Sequence, residues 1–224
     1  MSSEIIIMIT YEDIKKDKEI NTYIKRGNEL LGVLGFTEHS HTHCTKVSVT
    51  AAMILEKLGY SEREMELAYM AGYMHDIGNM VNRIDHAQTG AVMAFNILTR
   101  MQMEPDEIST IVSAIGNHDE KTGSAVNPVS AALILADKTD VRRSRVRNKD
   151  FAKFDIHDRV NYAVTNSELI VDKEKIELDI ELDTNICSMA EYFEIFLERM
   201  IMCKRAAEFL KVKFIMVANG NQVM

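Results

Sequence analysis

The segment AYMAGYMHDIGNMVNRIDHAQTGA, residues 68–91, sets His75 and Asp76 side by side at the end of an apolar helical pattern. They lie three and four residues beyond Gly72, so both continue the stripe begun by Met65, Ala68 and Tyr69. An unpaired buried charge costs several kcal/mol, comparable with the net stability of a whole domain. Any fold that buries this dyad must bring compensating groups to the same place.

The same oddity recurs along the chain. His43 sits four residues before Val47, and His86 four before Gly90 and eight before Ala94. His118 lies three beyond Ile115, and Asp137 four beyond Leu133. Each is in phase with an apolar face and is expected to point inward. One such histidine would usually be a satisfied core residue. Six groups together favour coordination of a metal whose charge offsets their burial. Nitrogen and carboxylate ligands without thiolate suit Mn²⁺, Fe²⁺, Mg²⁺ or catalytic Zn²⁺. The cysteines Cys44, Cys187 and Cys203 are odd in number and form no C-x-x-C pair, which argues against both a disulfide framework and a zinc ribbon.

Around these positions the pattern is helical. Thr10 with Asp13 and Ser61 with Glu64 read as capping boxes, Gly59 as a C-terminal cap, and Gly78 as the close of the dyad's segment. Further helices are expected from His86 to Met101, from Pro105, and from Asn127 and Pro128. After residue 147 the pattern changes. Residues 168–182, ELIVDKEKIELDIEL, alternate with period two and predict a hairpin turning near Lys173. A helix from Ser188 to Leu210 and a last strand in KFIMVANG follow. The expected fold is therefore mainly α, a helical bundle over 1–150 with a small β-β-α-β appendage over 151–224. The apolar run IIIMI at 5–9 is too short for a signal or a membrane span, so a cytoplasmic protein is expected. A net charge of −8 argues against a nucleic-acid coat.

His43, the dyad HD at 75 and 76, and Asp137 in LADK form an ordered H…HD…D pattern that resembles the HD-domain metal-dependent phosphohydrolases over residues 35–145. The resemblance implies the HD-type helical fold and hydrolysis of a phosphomonoester or phosphodiester of a nucleotide-like small molecule by a metal-activated hydroxide. It also implies the ligand set. His43, His75, Asp76 and Asp137 would hold one divalent ion, and Asp76 would bridge to a second held by His86 and His118. Such a binuclear pair, about 3.5–4 Å apart, can clamp a phosphoryl group. Two departures stand out. Asn117 occupies the place of the first histidine in the cyclic-dinucleotide-cleaving branch, and Asn79 in HDIGN replaces a lysine common there. That branch is therefore disfavoured.

The basic run DKTDVRRSRVRNK supplies charge for a phosphoryl transition state. Lys138 is expected to act in both catalysis and substrate binding, with Arg142 and Arg143 as further substrate-binding residues. On a continued helix Asp140 falls three residues beyond Asp137, with Arg143 or Arg147 along a neighbouring face. Asp119 and Asp85 neighbour proposed ligands and could orient an imidazole or carry a proton. Cys44 reads as buried packing, His39 and His41 as loop or entrance residues, and His157 as structural. Rival readings are a catalytically silent regulatory or scaffold protein with the metal-binding core, its appendage pairing strands between subunits, and a nucleic-acid binder using residues 142–149. A homo-oligomer, with a homodimer as its simplest form, fits the scaffold reading.

Overall fold

A computed structural model describes residues 8–147 and 156–224. The bundle opens with α1 (Tyr11–Lys16), where the Thr10–Asp13 capping box forms as expected, and α2 (Lys18–Val33), capped by Asp17. Helix α3 (His41–Leu58) stops at Gly59, whose φ of 83° is the left-handed cap that glycine permits. Helix α4 (Glu62–Met74) carries the Ser61–Glu64 box, and a 3₁₀ turn over Ile77–Met80 follows the dyad. Then come α5 (His86–Arg100), α6 (Pro105–Gly116) and α7 (Pro128–Lys138), the last opened by a capping box of Asn127 and Ser130.

Two glycines set the spacing of these helices. A Cβ on Gly72 would come within 2.6 Å of Ser48 Cα, so α3 and α4 cross with their backbones in direct contact. A Cβ on Gly78 would fall 2.0 Å from the carbonyl oxygen of His86, which presses the turn after the dyad against the start of α5. Both crossings sit beside the expected ligands.

The C-terminal part comprises α8 (Ile156–Ala163), β1 (Val164–Val171), β2 (Lys175–Leu182), α9 (Met189–Phe209), β3 (Lys213–Ala218) and β4 (Asn221–Gln222). The sheet order is β1-β2-β3-β4, with β2 and β3 parallel and the other pairs antiparallel. The hairpin turns where expected, but β4 extends the β-β-α-β pattern by a two-residue strand too short to show a period. Ile176, Leu178 and Ile180 of β2 and Phe214 and Met216 of β3 are buried, and α9 lies between the sheet and α7. One buried apolar cluster runs from Ile9 to Ala218. The expected boundary at 150/151 lies outside the described residues. Among those residues no helix is long and apolar enough to cross a membrane.

Helix α7 does not continue toward Arg147 as the sequence suggested. Thr139 caps it, its hydroxyl donating to the Leu135 carbonyl, and Arg142 is already extended at φ −161°. The Asp140 carboxylate is drawn instead to His43 and Lys46.

Candidate metal centre

The four expected histidines are all buried, and each commits Nδ1 to a partner on the far side of its ring. His75 Nδ1 donates to the Gly72 carbonyl at 2.8 Å, His86 Nδ1 to that of Arg83 at 3.0 Å, and His118 Nδ1 to that of Ile115 at 2.6 Å. His43 Nδ1 lies 2.8 Å from Asp140 Oδ2. A carbonyl can only accept, so in three of the rings Nδ1 carries the proton and, in the neutral ring, Nε2 carries the lone pair. The ends of α4 and α6, and the loop before α5, thereby aim the other ring nitrogen inward.

Those nitrogens meet two carboxylates. His43 Nε2 is 3.3 Å from Asp137 Oδ1 and 3.7 Å from Asp76 Oδ2, and His75 Nε2 is 3.2 Å from Asp76 Oδ2 and 3.7 Å from Asp137 Oδ1. On the other side of Asp76, His86 Nε2 lies 3.5 Å from Oδ1 and 3.2 Å from His118 Nε2. Asp76 thus turns one oxygen to each group. Donor atoms of His43, His75 and Asp76 lie within 4.8 Å of one another, as do those of His75, His118 and Asp137 and those of Asp76, His86 and His118.

Burial raises the cost of every charge here, and the neighbours decide its sign. It pushes the Asp76 carboxyl up, but His75 outweighs it and holds that group well below the usual range. Lys138 does the same for Asp137. Burial depresses His75, yet Asp76 and Asp137 raise it to about 10. His118 is pushed well down by burial, with His75 and Lys138 adding to the effect, and stays neutral. The contacts are within Coulomb range without being aligned hydrogen bonds: His43 Nε2, His75 Nε2 and Asp76 Oδ2 are buried with no hydrogen-bond partner. Three converging buried donor atoms without a hydrogen-bond partner, one of them the Nε2 of an imidazole that Asp76 and Asp137 keep protonated, fit a divalent cation that would take the place of that proton and offset their desolvation.

A cavity of about 90 Å³ opens beside this cluster, with Asp76, His86 and Asp137 on its wall. Lys138 stands there too, its Nζ 2.7 Å from Asp137 Oδ2 and 3.3 Å from Glu120 Oε2. The expected Arg142 and Arg143 do not line it. Arg142 Nε binds Asp140 Oδ1 at 2.9 Å, and Arg143 Nε donates to the Tyr162 carbonyl at 2.6 Å with its guanidinium over that ring. The early end of α7 turns them away, and Arg83, Arg145 and Arg199 take their place on the wall. Asp119 is likewise off the wall. Its carboxylate accepts from the Lys121 backbone, and the Ile115 carbonyl orients His118 instead. Asp85 precedes α5 at φ 57° and makes no side-chain cap, while Arg83 orients His86.

Cys44 is buried and its thiol is pushed well up by burial, as a packing residue should be. His39 lines the cavity, its ring 5.5 Å from that of His43, and His41 lies off the cavity, against Tyr73. His157, read as structural, stands on the wall with Asn161. Asn79, the departure after the dyad, donates to Asp76 Oδ1 at 2.7 Å, and Arg83 brings a cation to 3.9 Å from the same oxygen. Sequence reasoning gave no role to Asp140, Glu120, Arg83 or Arg199. Only Asp140 carried a signal, its spacing of three from Asp137.

The family model described as HD domain matches residues 41–159. An uncharacterized protein of Methanocaldococcus jannaschii is 29% identical over 209 residues, covering 83% of this chain and 79% of its own. A solved structure described as a predicted HD superfamily hydrolase, from an uncultured Thermotogales bacterium, is 22% identical with a TM-score of 0.44, covering 56% of this chain and 68% of that one.

Proposed function

This chain belongs to the HD domain family, and from that premise we propose that it is a metal-dependent phosphohydrolase acting on a phosphomonoester or phosphodiester of a small, nucleotide-like molecule. The observation that carries the reading is the convergence of His43 Nε2, His75 Nε2 and Asp76 Oδ2, buried and unpartnered, beside a cavity walled by cations. His43, His75, Asp76 and Asp137 would hold one divalent ion, and Asp76, His86 and His118 a second, drawn from Mn²⁺, Fe²⁺, Mg²⁺ or Zn²⁺. When bound, such ions supply Lewis-acid charge that acidifies water and neutralises phosphoryl oxygens.

The chain's own groups do the rest. Asp76 ties the two halves of the centre, and Asn79 fixes one of its oxygens. Burial pulls the Lys138 ammonium down, but Asp137 and Glu120 raise it, so it stays protonated. It is therefore no base. It stands as a fixed cation where charge develops on phosphoryl oxygens, aided by Arg83 and Arg145 on the same wall. The low-dielectric surroundings make those charges count for more than in water.

Phosphate release from a panel of nucleotides with added Mn²⁺, beside elemental analysis of protein purified without chelator, tests the reading. His75→Ala and Asp76→Ala should each lose metal and activity together. Full activity in either variant would refute the assignment, and bound metal without turnover on any substrate would favour the scaffold.

A further inference from the structure

Helix α9 lies outside the segment that the HD domain matches, yet one of its side chains reaches the same cavity. Arg199 stands on the wall with Lys138, Arg83 and Arg145. Its guanidinium carbon is 4.4 Å from the ring centroid of Phe196, which is fully buried, and its Nε is 2.7 Å from Glu120 Oε1. The other oxygen of Glu120 is 3.3 Å from Lys138 Nζ, and that ammonium is 2.7 Å from Asp137 Oδ2. An unbroken charge chain, Arg199–Glu120–Lys138–Asp137, therefore joins α9 to an expected metal ligand.

Neutralising Glu120 does not require Arg199, because Lys138 already faces that carboxylate. The guanidinium keeps two further nitrogens, Nη1 and Nη2, for which the described residues offer no hydrogen-bond partner, on a side chain that is 24% exposed. A planar fork in ion-pair contact with a carboxylate at one edge and stacked over an aromatic ring on one face turns its remaining donors away from both, a geometry that matches two phosphoryl oxygens. Placement on a long helix packed against α7 adds rigidity.

We propose that Arg199 is a substrate-binding residue that donates to the non-bridging phosphoryl oxygens, so that the C-terminal α+β part completes the site built by the helical bundle. This rests on the phosphohydrolase reading above. Glu120 then acts as a positioning residue, holding Arg199 and Lys138 on one carboxylate so that both face the same anion.

Calorimetric titration of inorganic phosphate into the full-length, Mn²⁺-loaded protein tests it, with Mn²⁺ binding measured in parallel. Arg199→Gln should weaken phosphate binding about tenfold or more, Arg199→Lys less, and both should leave Mn²⁺ affinity and stoichiometry unchanged. On a turned-over substrate the loss should fall mainly in KM. Undiminished phosphate affinity in Arg199→Gln overturns the proposal while leaving the phosphohydrolase reading intact. A parallel loss of Mn²⁺ also overturns it, since that is what a purely structural arginine would give. If Arg199→Gln does not fold, Arg199→Lys decides by the same criterion. A wild-type protein that binds Mn²⁺ but no phosphate sinks both readings.

Discussion

Nδ1 of His43 lies 2.8 Å from Oδ2 of Asp140, and the other oxygen of that carboxylate is held by Lys46 and Arg142 at 2.9 Å each. Burial pushes the Asp140 carboxyl up, but the His43 contact and Arg145 outweigh it and keep the group ionised. A carboxylate behind a ligand imidazole orients the ring and raises its basicity. Asp140→Asn keeps the shape and an acceptor oxygen but removes the charge. Mn²⁺ affinity should fall roughly 10–100-fold with the fold retained, as calorimetric titration and circular dichroism would show. Equal affinity in the variant would leave Asp140 a purely structural role.

Asp76 offers Oδ2 to His43 and His75 and Oδ1 to His86, so its loss should not resemble the loss of a histidine. Asp76→Asn weakens both halves of the centre, whereas His86→Ala removes a donor only from the Asp76–His86–His118 group. Elemental analysis after gel filtration should find less metal per chain in Asp76→Asn than in His86→Ala. The reverse order would overturn the bridging role.

Metal affinity should rise with pH, and His75 supplies the reason. Its imidazole is held protonated to about 10 by Asp76 and Asp137 against the pull of burial, so a cation must displace that proton. Apparent Mn²⁺ affinity should gain about a factor of ten per pH unit between pH 6 and 8, with about one proton released per ion bound. Titrations in buffers of different ionisation enthalpy count that proton directly. In the chelated protein the same raised pKa has the opposite sense. His75 contributes stability fully below its ordinary value of 6.5, and that contribution is lost as pH rises through about 10.

What could be read in the sequence was what local chemistry decides. Thr10 with Asp13, Ser61 with Glu64, and Gly59 each settle a helix end within a few residues, and all three form as expected. The inward phase of His43, His86 and Asp137 follows from helical period, and His75 and His118 follow just past the ends of α4 and α6; the four histidines are buried and Asp137 nearly so. The arginines on the wall obey no such rule. A continued α7 would carry Arg143 or Arg147 along a face beside Asp137, but Thr139 bonds back to Leu135 and ends it, and Arg142, a candidate from the basic run alone, turns away with them. Arg199 meets Glu120 across 78 intervening positions because α9 packs on α7, a tertiary contact that no local pattern on α9 announces. His157 reaches the wall in the same way, from a helix whose short stripe gave no sign of it.

Gly78 links the fold to the centre most sharply. A Cβ there would lie 2.0 Å from the His86 carbonyl oxygen and 2.5 Å from Gly90 N, both backbone atoms that cannot swing aside. Gly78→Ala must therefore push the Ile77–Met80 turn away from the first turns of α5. Overpacking of this kind typically costs about 1–3 kcal/mol, which a urea titration would register. The displacement also separates Asp76, two residues before Gly78, from His86 on α5, so Mn²⁺ binding should drop by more than the stability loss explains. Gly72→Ala provides the comparison, because its Cβ meets Ser48 on α3 instead. Its clash lies between α3, which carries His43, and α4, whose Gly72 carbonyl orients His75, so it disturbs the other side of the centre and not the Asp76–His86 spacing. A Gly78→Ala protein as stable as its parent and with unchanged Mn²⁺ binding would mean that the turn and α5 are not in the contact described.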